Sequence, residues 1–195
     1  RSLNEVKIIL VGNGGAGKTS LVKRLTGERF NSKEPQTHGI NIKKSSISLD
    51  SSAEAKINFW DFGGQEIMHA THQFFLSKRS IYVLVLDGRK DEDPEYWLQH
   101  IESFGGDSPV FIVLNKLDEH PAYDVNRRFL LGKYPRIVGF FKVSCSKDLG
   151  IKELKAHISK VIPETPMLSA SWPAAWFNAT RERESKGTEF ITLEE

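Results

Sequence analysis

Short apolar runs and helical patterns alternate along the chain. Val6-Lys7-Ile8-Ile9-Leu10-Val11 is rich in β-branched residues and runs into glycines. From Lys18 to Leu25, the apolar positions Leu21, Val22 and Leu25 recur at helical spacing. Gly39 to Leu49 reads GINIKKSSISL, an alternation that predicts a strand over Ile40–Leu49. Asp50-Ser51-Ser52 reads as a turn, and Ala55–Trp60 as a second strand able to close a hairpin with the first. Ile81–Leu86, Val110–Leu114 and Ile137–Val143 predict three more strands. Helices are predicted over Glu66–Phe75, Pro94–Phe104, Asn126–Lys133 and Ile151–Ile162. Pro94 suits a first helical turn, and Trp97, Ile101 and Phe104 form its apolar stripe. In the last helix Ile151, Leu154, Ile158, Val161 and Ile162 share one side.

This β-α-β-β-α-β-α-β-α-β-α order predicts an α/β fold. Helices between buried strands mean crossovers, hence a six-stranded, mostly parallel sheet with helices on both faces. Ile40–Leu49 is the expected antiparallel edge, where Lys43 and Lys44 form a solvated face that discourages further pairing. Past Ile162 the pattern breaks at Pro163-Glu164-Thr165-Pro166, and a linker leads to Trp172-Pro173-Ala174-Ala175-Trp176-Phe177. One domain is expected over 1–162. Residues 163–195 are expected to hold a linker and the start of another unit, since Trp172, Trp176 and Phe177 are much apolar area to leave in water. The charged stretch from Arg181 to Glu184 suits a solvated helix.

Composition narrows the function classes. The chain has 195 residues, with 27 Lys and Arg against 25 Asp and Glu, a net charge of +2. That balance gives no broad basic field, so neither nucleic acid nor a membrane is expected as a partner. No apolar run approaches the ~18 residues of a membrane helix. Cys145 is the single cysteine, which excludes an internal disulfide and fits a reducing, cytoplasmic setting. The first residue is Arg1 and no signal-peptide pattern follows, so the chain reads as a piece of something longer.

The sharpest motif is Gly12-Asn13-Gly14-Gly15-Ala16-Gly17-Lys18-Thr19, which matches G-x-x-x-x-G-K-[ST] between a strand and a helix. Its glycines let backbone N–H groups cradle a polyphosphate at the positive end of the helix. Lys18 can reach the outer phosphates, and Thr19 can ligate Mg²⁺. The motif indicates a P-loop NTPase without naming the base. Asp61, at the end of the next parallel strand, stands where such proteins place a second Mg²⁺ contact. In Asp61-Phe62-Gly63-Gly64-Gln65, the Gly64 N–H can meet a γ-phosphate and Gln65 can orient the attacking water. Thr37, ahead of the edge strand, can reach both Mg²⁺ and the γ-phosphate. Asn115-Lys116-Leu117-Asp118 follows a strand. There a carboxylate can accept two hydrogen bonds from guanine, which adenine cannot supply. Asn115 can bond the base edge and brace the P-loop, while the Lys116 stem covers the base. Ser144-Cys145-Ser146-Lys147 follows the last strand, where its N–H groups can bond the guanine carbonyl. The Cys145 side chain is expected to pack rather than react.

In these five segments, over residues 6 to about 162, the sequence resembles the Ras-like small GTPase superfamily. More narrowly it resembles the Roc domain of Roco proteins, the family that includes the leucine-rich-repeat kinases, with bacterial or archaeal members nearest. The narrower likeness rests on Asp61 to Glu66, Thr37 to Ile40, Val143 to Ser146 and the tail Ser171 to Trp176. That tail is similar to the entry into the COR dimerisation domain. The resemblance implies a GTP/GDP switch with slow hydrolysis, a bound Mg²⁺, assembly with a COR-like domain, and a homodimer. It implies nucleotide contacts from the whole P-loop, with Ser20 beside Thr19. No cysteine stands near the C-terminal Glu195, so no prenyl anchor is expected.

Lys18, Thr19, Thr37, Asp61 and Gln65 supply most of what hydrolysis needs, but not a positive group to complete the transition state. Arg79 and Arg89 are the candidates. Arg89 follows a strand's carboxyl end and is expected to act in trans on a partner subunit's site; the alternative is a solvated loop arginine. His69 and His72, at i and i+3, invite a metal reading, but no acidic or cysteine partner stands at ligand spacing, so no zinc is expected. Two functions remain open: a hydrolysing switch, or a GTP-binding interaction module whose turnover is incidental.

Overall fold

The computed structural model describes residues 5–49, 53–63, 76–90 and 92–165. In chain order the elements are β1 (Glu5–Val11), α1 (Lys18–Leu25), β2 (Ile40–Leu49), β3 (Ala53–Phe62), β4 (Ile81–Asp87), α2 (Pro94–Gly105), β5 (Val110–Asn115), α3 (Arg127–Lys133), β6 (Ile137–Lys142) and α4 (Ile151–Val161). A 3-10 turn, Ile162–Glu164, follows. The six strands form one sheet in the order β2-β3-β1-β4-β5-β6. Only β2 runs antiparallel, paired with β3 from Ile40↔Phe62 to Leu49↔Ala53. The other pairs, β1 with β3 and β4, β4 with β5, and β5 with β6, are parallel.

Both faces of the sheet are covered, which is why the central strands read as unbroken apolar runs rather than alternations. Every residue of β4 and β5 is buried. Alternate positions feed two cores. Ile8, Leu10, Val83 and Val113 join Leu21 and Val22 of α1 and Leu154 and Ile158 of α4 on one face. Ile9, Leu84 and Ile112 join Trp97, Leu98 and Ile101 of α2 and Leu130 of α3 on the other. Each large side chain so buried contributes roughly 1.5–3 kcal/mol. The helix starts are set locally. Asp93 accepts the Glu95 N–H at 2.9 Å ahead of Pro94, and Asn126 accepts the Phe129 N–H at 3.1 Å.

The expected α/β architecture, with its antiparallel edge at Ile40–Leu49, is the one found. The differences lie at element ends. Asn126 is the cap of α3 rather than its first residue. The hairpin strand extends from Ala53 to Phe62, so Asp61 pairs within it, opposite Leu10 and Asn41. Asp87 and Asn115 are the last, mutually paired residues of β4 and β5. The Glu66–Phe75 helix, the Asp50–Ser52 turn and the segment from Trp172 lie outside the described residues, as do His69 and His72. Among the described residues, no helix is long and apolar enough to cross a membrane. The parallel strands all deliver their carboxyl ends to one edge, where an open α/β sheet forms its binding crevice.

Candidate functional site

A cleft of about 1000 Å³ lies at that edge, lined by Gly15, Lys18, Thr37, Lys116, Asp118 and Ser146 among others. At one end, the loop after β1 passes so close to β4 that only glycine fits. Gly12 has φ 137°, and a Cβ there would stand 2.2 Å from the Val85 carbonyl oxygen. Gly17, with φ 96°, would bring a Cβ within 2.3 Å of Asn115 Nδ2. Lys18 opens α1 and folds back under the loop. Its Nζ donates to the Gly12 carbonyl at 2.8 Å and to the Asn13 carbonyl at 3.1 Å. Burial lowers the Lys18 pKa, while the Asp61 and Glu92 charges oppose that shift.

Beside Lys18, three side-chain oxygens meet. Thr19 Oγ1 donates to Asp61 Oδ2 at 2.6 Å, the Thr19 and Thr37 hydroxyls share a bond of 2.8 Å, and Thr37 Oγ1 lies 3.4 Å from Asp61 Oδ2. Burial pushes the Asp61 carboxyl up, against the bond from Thr19 and the Lys18 charge. Its other oxygen, Oδ1, is buried without a hydrogen-bond partner among the described residues. The set therefore has two hydroxyls, one carboxylate and a spare carboxylate oxygen, a hard-oxygen donor set of the kind Mg²⁺ takes together with waters. Among the described residues, no group of three or more His, Cys, Asp or Glu side chains gathers as a metal site.

At the other end, contacts span the chain. Asn115 Nδ2 donates to the Ala16 carbonyl at 2.8 Å, and its Oδ1 accepts the Cys145 N–H at 3.3 Å. The side chain thus ties the glycine loop to the loop after β6. Lys116, at φ 66°, sends its Nζ to the Gly15 carbonyl and to Asp87 Oδ2, each at 2.7 Å. Asp118 is exposed and accepts the Ser146 hydroxyl at 2.6 Å. Hydrogen bonding from Ser144 and Ser146 lowers its carboxyl pKa, so it presents an ionised acceptor. Cys145 is buried, and burial pushes its thiol up to about 12, which removes it as a nucleophile. Ser144 Oγ accepts the Lys147 N–H at 3.1 Å and so shapes the loop.

Most of the expected residues line this cleft, while Gly12, Ala16, Asp61, Arg89, Ser144 and Lys147 stand outside its lining. Gly12 and Ala16 are buried within the loop, and Asp61 accepts the Thr19 hydroxyl. Ser20 lines the cleft. Gly64 and Gln65 lie outside the described residues. Arg89 is engaged locally: its Nε and NH2 reach Asp87 at 3.1 and 2.9 Å, and NH1 stands 3.5 Å from Glu119. Burial works against ionisation of Asp87, but the Arg89 and Lys116 hydrogen bonds hold its carboxyl well below the ordinary carboxylate range.

Residues outside every motif also take part. Phe30 lines the cleft from an otherwise polar stretch, an isolated aromatic that was the only available signal. Asp87 ends a run of six apolar residues, Ile81 to Leu86, and a charge in that place marks a strand end at a site. Glu92 is buried and accepts the Asp87 N–H at 3.2 Å.

Residues 7–118 match the family described as Roc, Ras of Complex, Roc, domain of DAPkinase. The chain is 31% identical to the probable serine/threonine-protein kinase roco5 of Dictyostelium discoideum, over 97% of this chain and 9% of that protein. It is 30% identical to a Roc-COR-CHAT protease of Runella zeae, over 99% of this chain and 24% of that one. It thus spans less than a quarter of each of these relatives. Among solved structures it is similar to Methanosarcina barkeri Roco2 RocCORdC bound to GDP, with 56% sequence identity and a TM-score of 0.89. That likeness covers 99% of this chain and 59% of the other.

Proposed function

The chain belongs to the Roc family, and we propose that it is a Mg²⁺-dependent switch that binds GTP and hydrolyses it to GDP. The observation that carries this reading is the convergence, round one cleft, of a lysine-closed glycine loop, a hard-oxygen cluster and an exposed ionised carboxylate, Asp118. Backbone N–H groups of the loop and Lys18 hold the β- and γ-phosphates. Thr19, Thr37 and Asp61 hold Mg²⁺, which when bound neutralises charge on the β- and γ-oxygens. Asp118 accepts from the guanine ring N–H and amine, Lys116 covers the base, and Ser144 to Lys147 face its carbonyl. Gln65 orients the attacking water and Gly64 meets the γ-phosphate. Arg89 completes a partner subunit's site after leaving Asp87 and Glu119. Residues 163–195 hold a linker and the start of a COR-like domain, and the full protein works as a cytoplasmic homodimer.

The likeness to a GDP-bound Roc-COR protein supports the nucleotide assignment. Its test is multiple-turnover phosphate release by the purified chain, with ATP as competitor. Turnover of GTP that excess ATP leaves untouched and Gln65→Leu abolishes is the expected result. Equal competition by ATP would sink the guanine assignment, and unchanged turnover in Gln65→Leu would leave a binding module with incidental hydrolysis.

A further inference from the structure

Arg24 sits in the last turn of α1 and belongs to none of the nucleotide motifs. Its Nε donates to the Cys145 carbonyl at 2.7 Å and its NH2 to the Ser146 carbonyl at 3.3 Å. The guanidinium also lies over the Phe30 ring, 5.9 Å from its centroid, and 3.8 Å from Asp148 Oδ1. The Arg24 side chain is only 18% exposed. Cys145, Ser146 and Phe30 all line the cleft. One side chain from the helix that begins at the phosphate loop thus grips both walls of the cleft's far end.

Those bonds fix directions as well as positions. In a trans peptide the carbonyl of one residue and the N–H of the next point opposite ways, and the described chain has no cis bonds. Holding the Cys145 carbonyl on Arg24 therefore turns the Ser146 N–H to the opposite side. Holding the Ser146 carbonyl likewise turns the Lys147 N–H, which meets Ser144 Oγ at 3.1 Å. The Cys145 N–H is committed to Asn115. Ser146 N–H is then the donor whose aim depends on Arg24. A lysine would hold the two carbonyls less firmly, since its ammonium is a single point on a flexible stem and lacks the rigid planar fork of the guanidinium.

We propose that Arg24 is a positioning residue that sets base specificity, by aiming the Ser146 N–H at the 6-oxo group of the purine. It touches neither base nor phosphate and acts through two peptide planes. The inference rests on the guanine reading above, so the test separates the two.

The probes are GDP, 6-thio-GDP and ADP, titrated onto the wild-type chain, Arg24→Ala and Arg24→Lys. In 6-thio-GDP a weak sulfur acceptor replaces the 6-oxygen while the ring N–H and amine remain. Wild type is expected to bind GDP more tightly than 6-thio-GDP, and ADP least. Arg24→Ala should lose about tenfold in GDP affinity, the equivalent of one well-made hydrogen bond, and at most about twofold in 6-thio-GDP affinity. Arg24→Lys should fall between. A variant that merely loosens α1 or the glycine loop weakens both analogues equally, so an unchanged GDP to 6-thio-GDP ratio overturns the proposal even if affinity drops. A wild-type chain that binds ADP as well as GDP overturns the guanine reading and this proposal with it.

Discussion

At one end of the cleft, Gly12 to Lys18 carry most of the contacts on consecutive residues, and Lys18 closes on carbonyls five and six positions away. At the other end, Asn115 reaches Ala16 across 99 positions, and Arg24 reaches Cys145 across 121. The first end is built of backbone around the buried Gly12, Ala16 and Lys18. The second is assembled from three separate loops and presents an exposed carboxylate, Asp118. The difference teaches how one site can separate affinity from selectivity. On the proposed reading, a polyphosphate, common to every nucleotide, would be met by a sequence-local cradle. The base, which is distinctive, would be met by loops whose mutual placement can be tuned without disturbing that cradle.

Breaking each end in turn tests this division. Lys18→Ala removes the one buried ammonium found at the phosphate end among the described residues. It should weaken GDP binding by about 100-fold, on the scale of a lost charge-assisted contact to phosphate. The residual preference for guanine over adenine should persist. Competition titrations with GDP and ADP read both quantities, and a Lys18→Ala chain that lost its base preference would show the two ends to be one unit. Asp118→Asn does the reverse. It costs guanine a bidentate acceptor, roughly 10- to 100-fold in GDP affinity. It should gain affinity for xanthosine diphosphate, whose 2-oxo group accepts the new amide N–H. Failure of xanthosine diphosphate to improve would remove Asp118 from its assigned place.

The same asymmetry decided what could be read from the amino acids. The glycine loop is legible because close backbone passage at Gly12 and Gly17 leaves no other residue, and those residues stand in one string. The parallel sheet is legible because buried strands and amphipathic helices alternate. The base end is only partly legible. Asn115, Lys116 and Asp118 form a short string, but the partners that orient them do not. Arg24 is an ordinary helical arginine in sequence, and Phe30 an ordinary loop aromatic. Their roles arise only once α1 and the loop after β6 lie side by side. Arg89 shows the opposite case. Its position after β4 reads as a cation acting in trans or solvated in a loop, whereas the fold gives it two carboxylates, Asp87 and Glu119.

Asp87 joins the two ends, since Lys116 bridges it to the Gly15 carbonyl. Asp61 belongs to the phosphate end alone. Both carboxyls are almost fully buried, at 0 and 2% exposure, yet their pKa values move in opposite directions. A carboxyl whose folded pKa is depressed stabilises the fold above its unfolded value of about 3.9, and that contribution is lost as pH falls through the folded value. This is Asp87. A carboxyl whose folded pKa is raised stabilises the fold below the unfolded value, and loses that contribution as pH rises through the folded one. This is Asp61, for which the ionised form is the costly one. At pH 7 without nucleotide, Asp87→Asn should therefore lower the urea midpoint, by about 1–2 kcal/mol in stability, while Asp61→Asn should raise it slightly. Below about pH 4 the Asp87→Asn deficit should shrink, because the wild-type carboxyl takes up its proton in the unfolded chain while it stays ionised in the folded one. Unfolding of the two variants and wild type at pH 7 and pH 3 reads all of this. A deficit that held constant with pH would mean that Asp87 acts through shape rather than charge. Shifts of the same sign at pH 7 would mean that the carboxylate joining the two ends and the one at the phosphate end respond alike.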